Sequence, residues 1–131
     1  MQDRVKKAIE NHHKGYNCAQ AVICAFADKT KFSEDDLFRL AEGFGAGMGA
    51  SKGVCGAVSA MVFLAGLEKS AGVDKIPQTN KAQSYSFAGE LMKAFEEKNS
   101  TIICLKLKDD GLRSCDGCIE DAVRILEEKL K

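Results

Sequence analysis

Apolar residues recur every three or four positions along most of this chain, and that spacing restricts the fold more than any other feature. Near the N-terminus the repeat begins with Val5, Ala8 and Ile9. Near the C-terminus it comprises Ile119, Ala122, Val123, Leu126 and Leu130. This period is typical of an α-helix with one buried face, whereas half-buried strands alternate apolar and polar residues. No strand-rich segment or internal repeat is visible, so the sequence predicts an all-α protein.

Start and stop signals divide the chain into separate helices. Gly15 suits the left-handed end of a first helix. Capping pairs that begin later helices are Asn17 with Gln20, Ser33 with Asp36, and Asn80 with Gln83. The apolar run after Ser100 is too short to distinguish a helix from a strand. We therefore predict a single domain over residues 1–131, built as a bundle of five to six helices.

Glycines are concentrated in the segment before the fourth predicted helix. They are Gly43, Gly45, Gly47, Gly49, Gly53 and Gly56. Closely spaced glycines allow positive φ values and close approach of two backbones. The segment is therefore predicted to be a glycine-rich loop that leads into a helix near Ala57. Within it, the amides of Gly53 and Gly56 are the candidates to face a sulfur or a cofactor.

The charge balance and the apolar runs exclude some classes of function. The chain has 19 basic and 19 acidic residues and no net charge, so we expect no binding to nucleic acid. Its longest apolar run, residues 54–67, is shorter than the ~20 residues of a membrane span, and we expect no integral membrane protein. No secretory signal is visible. A cytoplasmic location is therefore the expectation, and structural disulfides are rare there.

Six cysteines in such a compartment are expected to be metal ligands, redox thiols or core residues. Five of them lie near predicted helix starts: Cys18, Cys55, Cys104, Cys115 and Cys118. Free amide groups and the positive end of the helix dipole stabilise a thiolate at such positions. The thiolate is the form that attacks disulfides and binds metals. The repeated placement predicts shared thiol chemistry, with these five residues as the redox-thiol candidates.

Two details refine this set of cysteines. Cys24 lies about 240° around the helix from Cys18, so the two cannot share a site and packing explains Cys24. Cys115 and Cys118 form a Cys-x-x-Cys pair, which matches both dithiol redox and metal-ligand geometry. A second such pair is missing, so a zinc ribbon of two pairs does not fit.

Charged residues near these cysteines are expected to modify thiolate formation. Lys52 and Arg113 can favour thiolates at Cys55 and Cys115, whereas Asp116 opposes one. His12 and His13 are adjacent, and hence about 100° apart on a helix. They fit an interaction with the negative C-terminal end of the first helix better than metal binding.

Three stretches of the chain resemble a known family. They are Gly15-Tyr16-Asn17-Cys18-Ala19-Gln20-Ala21-Val22, Gly43-Phe44-Gly45-Ala46-Gly47-Met48-Gly49 and Val54-Cys55-Gly56-Ala57-Val58-Ser59-Ala60. In this order they resemble the C_GCAxxG_C_C family of putative redox-active proteins. The later cysteines of that family are similar to Cys104 and Cys115, and its closing helix is similar to residues 121–126. One departure is visible, because the family pattern Cys-Gly-Ala-x-x-Gly ends here in Ala60.

The resemblance implies a small helical protein with redox-active cysteines, often encoded beside transporter genes and so functionally linked to a transporter. Longer relatives are associated with an iron–sulfur centre. The resemblance thus implies an iron–sulfur cluster whose candidate metal ligands are Cys18, Cys55, Cys104 and Cys115. The same cysteines can instead cycle between dithiol and disulfide, with Cys115–Cys118, or Cys55 with a partner thiol, as the exchanging pair.

Two interpretations of another class stay open. Cys18, Cys55, Cys104 and Cys115 can hold a structural zinc ion, or the chain can be a helical interaction module without a metal. The sequence identifies no redox partner and no acid–base constellation that would define an enzyme reaction. It also leaves a homodimer open, because symmetric dimers are the commonest assembly.

Overall fold

A computed structural model describes residues 3–50 and 52–130 and confirms the all-α prediction for them. The described residues form seven α-helices: α1 Arg4–Lys14, α2 Cys18–Cys24, α3 Glu34–Ala41, α4 Gly56–Lys69, α5 Lys81–Asn99, α6 Cys104–Asp109 and α7 Cys115–Lys129. Short 3₁₀ turns cover Ala27–Lys29, Glu42–Phe44 and Val73–Lys75. Residues 1, 2, 51 and 131 of the predicted domain lie outside the described part.

The predicted count of five to six helices is too low, because the short run after Ser100 forms a helix of its own. That helix, α6, begins at Cys104. The residue before it, Ile103, pairs with Val54 in one isolated antiparallel bridge. The sequence could not distinguish a strand from a helix here. The structure contains both, because the run begins as extended backbone and continues as a helix.

Helices α2 and α4 occupy the centre of the bundle. The side chains of α2 are buried from Ala19 to Cys24, which agrees with a helix that is apolar nearly all round. Helix α4 packs against α2 and α5, while α1 packs against α7. One apolar core connects these helices in the described part of the chain. No described helix combines the length and the apolar character needed to cross a bilayer.

The capping predictions have different outcomes. Asn17 and Gln20 form a reciprocal capping box, with both hydrogen bonds at 2.9 Å. The Ser33 hydroxyl accepts from the Asp36 amide at 3.1 Å. Asn80 also precedes its helix, but its side chain makes no capping bond and donates instead to the Lys69 carbonyl at 2.9 Å. Asn80 therefore ties the start of α5 to the end of α4.

The glycine-rich segment before α4 contains tightly turned backbone. After the turn Glu42–Phe44 the chain forms a compact turn, Gly45–Met48, in which Gly47 has a φ of 64°. Ala46 and Met48 also have positive φ values, of 53° and 62°. Such values are uncommon for residues other than glycine. The segment therefore holds an unusual conformation beside the start of α4.

Candidate functional site

Five of the six cysteines line one small cavity where four helices begin. They are Cys18, Cys55, Cys104, Cys115 and Cys118. Cys18, Cys104 and Cys115 are the first residues of α2, α6 and α7, and Cys55 directly precedes α4. The cavity leaves about 20 Å³ in which a water-sized sphere can move. Space of that size holds a water molecule but no organic substrate.

Glycine at position 56 allows the starts of α2 and α4 to meet. A Cβ atom at Gly56 would lie 3.0 Å from the Ala19 amide nitrogen and 3.3 Å from the Cys18 Cβ. Both distances are tighter than ordinary contacts, so a larger residue would push the two helices apart. Gly56 thereby brings Cys18 close to Cys55.

A second glycine makes room for Cys104. A Cβ atom at Gly47 would lie 2.6 Å from the Cys104 Cβ. The Cys104 amide donates to the Gly53 carbonyl at 3.0 Å, and the Cys55 amide donates to the Ile102 carbonyl at 2.7 Å. These bonds hold the residues before α6 alongside those before α4, and Cys104 reaches the cavity.

The start of α7 carries the remaining two cysteines. The Ser114 hydroxyl caps this helix by accepting from the Gly117 amide at 3.0 Å. The Arg113 guanidinium donates twice to the Asp121 carboxylate, at 3.1 and 3.2 Å. Asn99 of α5 donates to the same carboxylate at 3.1 Å. Arg113 is thus tied to α7 and α5, and the first turn of α7 is held against the cavity.

The surroundings of Cys55 favour its thiolate form. A hydrogen bond from the Cys118 thiol and the amides of Ala57 and Val58 lower the pKa of Cys55 to about 7, although burial opposes this. The Lys108 ammonium adds to the lowering. These groups make a thiolate available near neutral pH, and a thiolate is the reactive form.

The pKa values of three neighbouring thiols are raised instead. Burial and the nearby Cys115 raise the pKa of Cys18, and burial raises the pKa of Cys104. The hydrogen bond to Cys55 raises the pKa of Cys118. Since like charges repel strongly in a buried site, a thiolate at Cys55 disfavours ionisation of Cys18, Cys104 and Cys118.

The cysteine sulfurs are not arranged for a single metal ion. Among the described residues, His12, His13 and Asp116 form the group of three ligands whose atoms lie within 4.8 Å of one another, and no three cysteine sulfurs do so. Tetrahedral zinc with Zn–S bonds of about 2.3 Å requires sulfurs about 3.8 Å apart. A [4Fe–4S] cluster places its four thiolates on four separate iron atoms and spaces them more widely.

Cys24 and the two glycines predicted to face a sulfur lie at different distances from the cavity. Cys24 is buried outside the cavity, with its sulfur 3.8 Å from the Glu34 carbonyl. Gly56 lines the cavity, whereas the Gly53 amide donates to the Gly47 carbonyl at 3.1 Å. The backbone amides that act on the Cys55 sulfur belong to Ala57 and Val58 instead.

The unpredicted feature of the cavity is a cation, Lys108. Lys108 lines the cavity, and Lys52 is not among its lining residues. Arg113 also lines it but is paired with Asp121. A signal for Lys108 was available, because it follows Cys104 by four residues and therefore shares a helix face with it.

The two histidines share one unpredicted partner, Asp116. His12 Nδ1 lies 2.7 Å from Asp116 Oδ1, and His13 Nε2 lies 2.7 Å from Asp116 Oδ2. These hydrogen bonds hold the pKa of Asp116 below its usual range. The charge of Asp116, expected to oppose a thiolate at Cys115, is therefore engaged by both imidazoles.

Comparison with known proteins identifies one family. A family model described as "Putative redox-active protein (C_GCAxxG_C_C)" matches residues 16–129. The match includes every residue that lines the thiol cavity. No curated protein and no solved structure is significantly similar to the chain.

Proposed function

We propose that this chain, which belongs to the C_GCAxxG_C_C family, uses its clustered cysteines for two-electron thiol–disulfide chemistry. The observation that carries the proposal is that five thiols line one cavity and one of them, Cys55, has a pKa of about 7. Cys118, whose thiol hydrogen-bonds the Cys55 sulfur, is the proposed partner. Both residues belong to the five redox-thiol candidates of the sequence analysis.

The proposed exchange has two steps. The Cys55 thiolate attacks one sulfur of a partner disulfide, which forms a mixed disulfide and releases one partner thiolate. The Cys118 sulfur then attacks Cys55, its proton passes to the second departing partner thiolate, and a Cys55–Cys118 disulfide forms. The protein loses two electrons and the partner gains them. The reverse sequence reduces the protein.

Access to the cavity is narrow. Cys55 and Cys118 are buried, whereas Cys18 and Cys115 are half-buried and in contact with solvent. A partner disulfide would therefore approach past Cys18 and Cys115. The Lys108 ammonium beside them would attract an anionic partner. We propose a redox partner of this kind, either a small disulfide or a protein with an exposed one.

An iron–sulfur cluster is the second candidate, and the chemistry of the donors supports it. Cys18, Cys55, Cys104 and Cys115 come from four helix starts and face one cavity, and these four would hold the cluster. When bound, it would supply one-electron transfer. The free volume of the cavity is small, about 20 Å³. It favours direct contact between sulfurs, and we therefore prefer the thiol–disulfide function to the cluster.

Metal analysis separates these functions. We would purify the protein without oxygen and measure visible absorption, iron and zinc on the same sample. Thiol–disulfide chemistry predicts a colourless protein without iron and with six free thiols after reduction. Brown material with stoichiometric iron would contradict the thiol–disulfide function and support the cluster. Stoichiometric zinc that protects the cysteines from alkylation, together with unfolding on chelation, would instead support the structural zinc site.

Peptide mapping tests the proposed pair. After incubation with a small-molecule disulfide, the predominant protein disulfide should join Cys55 to Cys118. Cys55→Ala should abolish this product. Cys24→Ala is the matched control, because Cys24 is buried but lies outside the cavity. A predominant Cys115–Cys118 disulfide would contradict the assignment of Cys55 and favour the Cys-x-x-Cys pair.

A further inference from the structure

We propose that His12, His13 and Asp116 form a second site, separate from the thiol cavity, that binds one divalent ion of the zinc type. These residues place three potential ligand atoms within 4.8 Å of one another. They connect the last turn of α1 to the first turn of α7. None of the three lines the thiol cavity, so the site does not depend on the proposed thiol chemistry.

The geometry needs little change to accept the ion. Each oxygen of the Asp116 carboxylate lies 2.7 Å from one imidazole nitrogen. Around tetrahedral zinc, with ligand bonds of about 2.0–2.2 Å, neighbouring ligand atoms lie about 3.3–3.5 Å apart. With one ligand atom from each residue, no pair lies more than 4.8 Å apart, so each separation would change by less than about 1.5 Å. His13 is mostly exposed and His12 is partly exposed, so small rotations of both rings can provide this movement.

The donor set selects the class of metal. Two imidazoles and one carboxylate are the ligands of borderline ions such as Zn²⁺, Ni²⁺ and Cu²⁺. Ca²⁺ and Mg²⁺ prefer oxygen ligands, so a site with two nitrogens disfavours them. Three protein ligands also leave one position for water. The partial exposure of all three residues allows that water to reach the ion.

The surrounding charges also permit a cation. The two histidines lie in the last turn of α1, where the negative end of the helix dipole favours positive charge. The other basic residue of that turn, Lys14, has its ammonium 5.6 Å from the centre of the Tyr16 ring. The dipole of α7 opposes a cation at its N-terminal turn, and the Asp116 carboxylate offsets that effect.

Imidazole ¹⁵N NMR during titration with Zn²⁺ tests this proposal on the full-length protein. The chain contains two histidines, both in the site, so the spectrum reports on the site even when cysteines also bind zinc. We expect saturable shifts of both rings that EDTA reverses. His13→Gln and Asp116→Asn should each weaken this binding at least about tenfold.

Asp35→Asn is the matched control for the carboxylate substitution. Asp35 is an exposed aspartate whose ion pair with Arg39 lies on another helix, so its loss should leave the zinc affinity unchanged. Helix content by circular dichroism would show that each variant is folded. Imidazole signals that do not move at a large molar excess of Zn²⁺, or that move equally in Asp116→Asn, would overturn the proposal and leave only hydrogen bonds between two helices.

Discussion

At the scale of single residues, the thiolate of Cys55 depends on a neighbour that is distant in sequence. The Cys118 thiol is the largest influence on the pKa of Cys55, ahead of the backbone amides of Ala57 and Val58. Burial alone would raise the pKa. The reactivity of Cys55 therefore depends on the packing of α7 against α4.

Removing that donor should make Cys55 less acidic. In Cys118→Ala the pKa of Cys55 should rise from about 7 to at least the free-cysteine value of about 8.5. Less thiolate is then present at pH 7, so alkylation of Cys55 should slow by roughly tenfold. The pH dependence of alkylation of the Cys55 peptide measures this. Cys24→Ala should leave the profile unchanged, since burial raises the pKa of Cys24 to about 11 and it lies elsewhere. An unshifted midpoint in Cys118→Ala would disprove the coupling.

Two glycines provide a matched comparison of backbone freedom. Gly47 has a φ of 64°, and a Cβ there would lie 2.6 Å from the Cys104 Cβ. Gly47→Ala should cost at least about 1–2 kcal/mol in the free energy of unfolding and increase the exposure of Cys104 to alkylation. Gly89 lies within α5, and a Cβ there would have no neighbour within 4 Å. Gly89→Ala should instead stabilise the protein by about 0.5–1 kcal/mol. Urea unfolding measures both, and equal effects would contradict the role given to Gly47.

At the scale of elements, helix starts determine where the thiols lie. Asn17 caps α2 and also donates to the Glu42 carbonyl at 2.9 Å. Its side chain fills the space that a Cβ at Gly45 would need. The cap of α2 is therefore also a contact with the glycine-rich segment, and it positions Cys18.

Loss of this cap should affect both stability and the thiol site. Asn17→Ala should cost about 0.5–2 kcal/mol and increase the alkylation rate of Cys18. Ser33→Ala removes the cap of α3, which carries no cysteine, and should have a similar cost without any change in the alkylation rate of Cys18. Denaturant unfolding and alkylation kinetics of both variants provide the comparison. A faster reaction of Cys18 in Ser33→Ala would show that general loosening, and not the cap of α2, controls this thiol.

At the scale of the whole molecule, the thiol cavity links helices that are far apart in the chain. Cys55 and Cys118 enclose a loop of about sixty residues. If the proposed disulfide forms, the unfolded chain loses conformational entropy equivalent to about 4 kcal/mol. The oxidised protein should then melt roughly 10 °C or more above the reduced protein. Differential scanning calorimetry of both forms measures this, with Cys55→Ala as the control that should show no such difference.

Three further properties of the whole molecule stay predictions: a cytoplasmic location, a homodimer and a functional link to a transporter. Single-domain organisation over residues 1–131 stays a prediction as well, although one apolar core connects the described helices. Sedimentation analysis would test the homodimer.

The helical class and most helix starts could be predicted from the sequence, because periodicity and capping act over a few neighbouring residues. Asn17, Ser33 and the glycine end of α1 are local signals of this kind, and the structure contains all three. The placement of cysteines at four helix starts followed from the same signals. The run that became α6 was too short for periodicity to assign.

The composition of the cavity depends on packing between distant segments and could not be predicted in this way. Gly56 and Gly47 are informative only once the atoms that approach them are known. The pKa of Cys55 depends on Cys118 and Lys108, which reach it through tertiary contacts. The pairing of His12 and His13 with Asp116 spans about a hundred residues. Local sequence thus placed thiols at helix ends, while the packing of the helices selected which ends meet, since hydrogen bonds and electrostatic fields act through space and not along the chain.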